Sequence, residues 1–186
     1  MLKNAGEKDI YVYCILDSDY HTKDEISERL DEAKKNSIFL KIWNKKEIEN
    51  YLIVPDAIIR IIKKESSSHV DYSLINNTIN ELADSMKKKY LSCLMDNIHR
   101  TSRIVDKKLI EPSTANKRAE KIIKENWDDK LSIISGKKLL SKISNWVNNK
   151  YNVSLNANKL AQELTVNEIS DEMKSVLSKI ENKKEL

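Results

Sequence analysis

Glycine and proline are nearly missing from this chain. Gly6, Gly136, Pro55 and Pro112 are the only ones in 186 residues. An all-β domain needs many more turn residues, so helices are expected to dominate. Cysteine is as scarce: Cys14 and Cys93 lie far apart, and neither sits at a metal-ligand spacing such as C-x-x-C. Both read as reduced core thiols of a cytosolic protein. No secretory signal is present, and no apolar stretch is long enough to span a membrane, so a cytoplasmic location without a membrane partner is expected. His21, His69 and His99 are scattered, and no Ser-His-Asp or Cys-His arrangement stands out. Gly136-Lys137 lacks the preceding glycine spacing and the following Ser or Thr of a Walker A loop, so the chain carries no P-loop of its own.

What is present is a globular composition, with 40% hydrophobic and 33% charged residues. The net charge of +4 is unevenly spread: residues 1–62 hold 10 Lys and Arg against 12 Asp and Glu, and residues 63–186 hold 23 against 17. A lysine-rich solvated surface accounts for that bias, and so does a phosphate-attracting body behind an acidic head.

Residues 10–16 are apolar on both faces and read as a fully buried strand. Asp24 to Lys35 is helix-prone, with Ile26, Leu30 and Ala33 on one face, and residues 37–43 read as a second strand. Strand, helix and strand at this spacing make a βαβ unit with a parallel pair. After the turn Asn44–Asn50, Pro55 suits the first turn of a helix. Glu65 to Ser68 reads as a linker or helix end. A long amphipathic helix is expected from Tyr72 to about Ile98, and another from Ser113, as N-cap, to Trp127. Leu131–Ile134 reads as a short strand. Ser135-Gly136-Lys137-Lys138 then opens a helix, and two shorter helices follow, one centred on Leu160 and Leu164 and one from Ser170. The expected organisation is a βαβ segment over residues 1–64 and a mainly helical region over 65–186 that completes the same domain.

The acids carry the chemistry. Asp17 and Asp19 follow the first strand, and in an extended chain residues i and i+2 project to one side. Glu47 and Glu49 follow the second strand. Adjacent parallel strands would deliver both pairs to one sheet edge, where α/β proteins build their sites. Carboxylates gathered there suit magnesium or manganese. The blander alternatives are an Asp capping the following helix and a solvated loop around Glu49.

The segments CILDSDYH (residues 14–21) and KEIENYLIVPDAI (46–58) resemble the TOPRIM domain of OLD-family ATP-dependent nucleases and related ATPase-linked proteins. SGKKLLSKISNWV (135–147), KLAQEL (159–164) and EISDEMKSVLSKI (168–180) are similar to the closing helices of the same group. The resemblance implies an α/β fold: a partial TOPRIM-like parallel sheet of few strands with a largely helical C-terminal extension. It implies Mg2+ or Mn2+ held by Asp17 and Asp19 with help from Glu49, Lys137 facing phosphate, and DNA as the substrate. It also implies ATP bound by an ATPase module outside this chain, and allows a homodimer. A full TOPRIM domain has an earlier strand with a catalytic glutamate. Only nine residues precede the first expected strand here, and Glu7 is too close to it, so the chain reads as the C-terminal piece of a larger ATPase-nuclease or as a truncated gene product. Two other classes stay open: a non-catalytic regulatory or dimerisation module of an ATPase, and a simple basic DNA-binding protein.

Overall fold

The computed structural model describes residues 12–182. The order is β1 (Tyr13–Leu16), α1 (Lys23–Lys35), β2 (Phe39–Ile42), α2 (Glu49–Leu52), α3 (Pro55–Ser66), α4 (Tyr72–Asp84) and α5 (Lys87–Val105). Then come α6 (Pro112–Asn126), a 3₁₀ turn (Trp127–Asp129), α7 (Lys130–Ile133), α8 (Gly136–Tyr151), α9 (Ala157–Glu163) and α10 (Asp171–Glu181). The fold is thus mostly helical with one small parallel sheet, within the expected α/β class. No described helix is long and apolar enough to cross a membrane.

β1 and β2 pair in parallel, with Tyr13 opposite Phe39 and Leu16 opposite Ile42, and α1 makes the crossover. Local chemistry sets α1: Thr22 accepts from the Glu25 N–H while Glu25 reaches back to the Thr22 N–H, a capping box. The main core lies elsewhere, among α3, α4, α8 and α9. Ile58, Ile62, Ile75, Ile79, Leu139, Ile143, Val147 and Leu160 are fully buried there. Each such side chain contributes about 1.5–3 kcal/mol by leaving water. Pro55 opens α3 as expected. Ser135 and Ser170 cap α8 and α10 by accepting from Lys138 and Met173 N–H.

Four expectations are corrected. β1 is not buried on both faces: the successive residues Ile15 and Leu16 are 38% and 43% exposed. Among the described residues the sheet has two strands, so β1 has a neighbour on one side only. Ile10 and Tyr11, also expected in that strand, lie outside the described residues.

The long helix is two, α4 and α5, divided at Ser85 and Met86. Ser85 Oγ donates to the Leu82 carbonyl at 2.6 Å, and Met86 N–H bonds Ala83 O, a tighter turn. Apolar spacing runs unbroken through the joint, which hides it in the sequence.

Residues 131–134 form no strand; Lys130–Ile133 is a single helical turn, closed by Ile134 N–H to Lys130 O at 3.1 Å. A four-residue apolar run carries no period long enough to separate the two. Finally, α6 starts on Pro112, with Glu111 at the cap position rather than Ser113. Proline at the first helical position loses no hydrogen bond.

Candidate functional site

Parallel pairing brings the chain leaving β1 and the chain leaving β2 to the same edge. The two loops are zipped together there. Trp43 N–H donates to Leu16 O at 3.0 Å, Ser18 Oγ to Lys45 O at 3.1 Å, and Asp19 N–H to Lys46 O at 3.2 Å. The Asp17 carboxylate accepts the Ile48 N–H at 3.2 Å, so it faces the second acidic pair.

A third segment joins through Asn50, which is buried. Its Oδ1 accepts the Glu47 N–H at 2.8 Å, and its Nδ2 donates to the carbonyls of Leu131 at 2.7 Å and Ile134 at 3.0 Å. Lys46 N–H adds a bond to Ser132 O at 2.7 Å. The start of α8 is thereby pressed onto the loop. Gly136 makes this approach feasible: a Cβ there would sit 2.6 Å from Asn50 Oδ1 and 2.7 Å from its backbone N.

Glu47 Oε2 accepts from Lys137 N–H at 2.8 Å and from Ser135 Oγ at 3.1 Å. Glu47 is 7% exposed, so the N-terminus of α8 already holds a carboxylate belonging to the protein. The Lys137 side chain turns instead to the acids. Its Nζ lies 3.4 Å from Asp17 Oδ2, and the nearby Glu49 charge, followed by the Asp17 contact, raises its pKa above the usual lysine value. Glu49 Oε2 is buried with no hydrogen-bond partner among the described residues.

Asp19 does not converge with Asp17 in the way an extended chain would place it. β1 ends at Leu16, and Asp19 is left-handed with φ 48°. The i, i+2 alternation is lost at that bend, and an aspartate tolerates the conformation. Its carboxylate, 61% exposed, lies 3.5 Å from Lys46 Nζ. Lys46 was not singled out in the sequence, yet its side chain is only 2% exposed, and its ammonium lies 3.5 Å from the Tyr20 ring centroid. Burial lowers its pKa, partly opposed by Asp19 and Glu47. Nor does either aspartate cap α1, a task done by Thr22.

Three of the residues singled out in the sequence, Asp17, Glu49 and Lys137, are thus brought together, and Asp19 is held beside them by a different cation. Among the described residues, no group of three or more His, Cys, Asp or Glu side chains is placed to hold a metal ion. His21 lies 3.6 Å from Glu25, on α1. Cys14 and Cys93 are free thiols, each half-buried rather than deep in the core. Trp127 and Trp146 pack against the main core. No family model matches the chain, and neither a curated protein nor a solved structure matches it.

Proposed function

We propose that the edge formed by Asp17, Glu49 and Lys137 is the TOPRIM-like site of an OLD-family ATPase-nuclease, and that it supports metal-dependent cleavage of DNA phosphodiesters. ATP would be handled by a module outside this chain. One observation carries the reading: residues from three distant segments, each matched by the resemblance, meet at one sheet edge around a single ammonium.

The acids fit a hard divalent ion. Magnesium and manganese sites often use one or two carboxylates, and water and substrate phosphate complete the shell. Asp17 and Glu49 are two such carboxylates, and Glu49 Oε2 is an oxygen donor with no hydrogen-bond partner among the described residues. They would hold the ion, with the exposed Asp19 as an outer donor. When bound, the ion supplies an activated water and stabilises the leaving oxygen. The chain's own residues do the rest. Ile48 N–H orients Asp17. The Asn50 bonds fix the distance between the Glu49 loop and α8. Lys137, released from the acids, offers its positive charge to the phosphate.

The test is nicking of supercoiled plasmid by the full chain with Mn2+. Nicking that is lost in Asp17→Asn and in Lys137→Ala is expected. Nicking that persists in Asp17→Asn, or none in the wild type, overturns the catalytic reading.

A second reading, a non-catalytic regulatory or dimerisation module of an ATPase, is favoured by the ion pairs themselves. Lys137 and Lys46 neutralise Asp17 and Asp19 from within, as a purely structural edge would require. It predicts wild-type ATPase regulation by the Asp17→Asn variant.

A further inference from the structure

The helical hairpin α5–α6 holds the whole positive excess of the chain. Residues 87–126 carry 11 Lys and Arg against 5 Asp and Glu, whereas the full chain carries 33 against 29. All of those 11 cations are exposed. On α6, Lys117, Lys121 and Lys124 recur at spacings of four and three, which puts them within about 60° of one another on the helix, opposite the buried Ala115, Ala119 and Ile123. On α5, Arg100 and Arg103 lead to Lys107 and Lys108 just past its end.

Few acids answer this charge. Arg118 forms a two-pronged pair with Asp106 at 2.7 and 3.1 Å, and Lys121 lies 3.8 Å from Glu125. Arg103, Lys107, Lys108, Lys117 and Lys124 form no ion pair among the described residues.

The end of the hairpin is also fixed in place. Ser102 is buried; its Oγ donates to His99 O at 2.8 Å and accepts from Ile110 N–H at 3.1 Å, which ties both sides of the turn together. The Arg118–Asp106 pair fastens α6 to the same turn. Cations on a fixed frame lose less entropy on meeting a charged partner than cations on a loose loop.

We propose that the outer face of α5–α6 is a docking surface for the phosphate backbone of duplex nucleic acid, separate from the carboxylate edge. Charge complementarity selects the occupant. The α6 stripe is about 10 Å long at 1.5 Å per residue, about three steps of the roughly 3.4 Å axial spacing of phosphates along one strand. The exposed Ile104, Val105 and Leu109 at the turn would suit a protein partner, but they are outnumbered by unpaired cations. The choice of duplex rests on the reading of DNA as substrate; the surface itself does not.

The test is fluorescence anisotropy of the full chain with a labelled duplex, without divalent metal, from about 50 to 200 mM salt. Because no metal is present, the assay reads this surface whether or not the carboxylate edge cleaves. Wild type is expected to bind with a steep salt dependence. Lys117→Gln/Lys121→Gln/Lys124→Gln should lower the log–log slope by about 2.7, at about 0.9 per lost phosphate contact. The control Lys34→Gln/Lys35→Gln/Lys63→Gln should leave the slope unchanged. Equal slopes in wild type and the α6 variant, an equal loss in the control, or binding of an acidic polypeptide or anionic vesicles without binding of duplex would each overturn the proposal.

Discussion

Replacing Gly136 by alanine sets two physical effects against each other. Helix propensity favours alanine over glycine by up to about 1 kcal/mol. Space opposes it, because the new methyl would lie 2.6 Å from Asn50 Oδ1, 2.7 Å from Asn50 N and 2.8 Å from Asn50 Cγ. Rotating the Asn50 side chain relieves only part of the overlap, since the backbone nitrogen stays. Moving it also breaks the bonds to Leu131 and Ile134. Overpacking costs about 1–3 kcal/mol, and an overlap with a backbone atom belongs in the upper part of that range, so the expected net loss is about 1–2 kcal/mol. With a urea slope of about 2 kcal/mol per molar, the unfolding midpoint should fall by about 0.5–1 M. Part of the cost should vanish in an Asn50→Ala background, where Oδ1 and Cγ clashes are reduced, and a double-mutant cycle reads that coupling. A midpoint that stays level or rises in Gly136→Ala would refute the close approach of α8 to the loop.

Two further outcomes are expected. Asn50→Ala should destabilise the chain by about 2–4 kcal/mol in urea unfolding, because it strips partners from the Glu47 N–H and from two carbonyls at once; a loss below about 0.5 kcal/mol would show that water replaces them. Glu168, bonded by Arg60 and by Thr165 N–H, has its carboxyl pulled down to about 2, chiefly by the Arg60 contact. A depressed carboxyl stabilises the fold above its unfolded value of about 4.3 and loses that contribution as pH falls toward about 2. The stability difference between wild type and Glu168→Gln should therefore shrink across that window; a difference independent of pH would contradict it.

Much of the fold was legible locally. Pro55, Ser135 and Ser170 announced helix starts because capping and proline chemistry act within a few residues. The β1–α1–β2 unit followed from run lengths and order. What stayed hidden depended on tertiary neighbours. Nothing in residues 10–16 tells whether a second strand will flank β1, so its exposure was missed. The division between α4 and α5 leaves the apolar period intact. Leu131–Ile134 is too short to declare its own period.

The site divides the same way. Asp17, Glu49 and Lys137 were singled out by motif, and parallel pairing explains why the first two share an edge. Asp19 turned aside because the strand ended before it, which an i, i+2 rule does not foresee. Lys46 escaped notice as a member of a charged loop, although burial sets it against the Asp19 carboxylate, and Glu47, expected at the sheet edge with Glu49, instead binds the start of α8. Asn50 joins two segments about 80 residues apart, a relation that no local pattern contains.

The most direct test of the carboxylate edge is Mn2+ affinity, measured on wild type, Asp17→Asn and Lys137→Ala. Asp17→Asn should bind at least about tenfold more weakly, by loss of a donor worth about 1.4 kcal/mol or more. Lys137→Ala should bind up to about fivefold more tightly, because an ammonium in an exposed pair worth at most about 1 kcal/mol no longer competes for the same oxygens. Equal affinity in all three proteins, or weaker binding in Lys137→Ala, would contradict a shared ionic centre at Asp17 and Glu49.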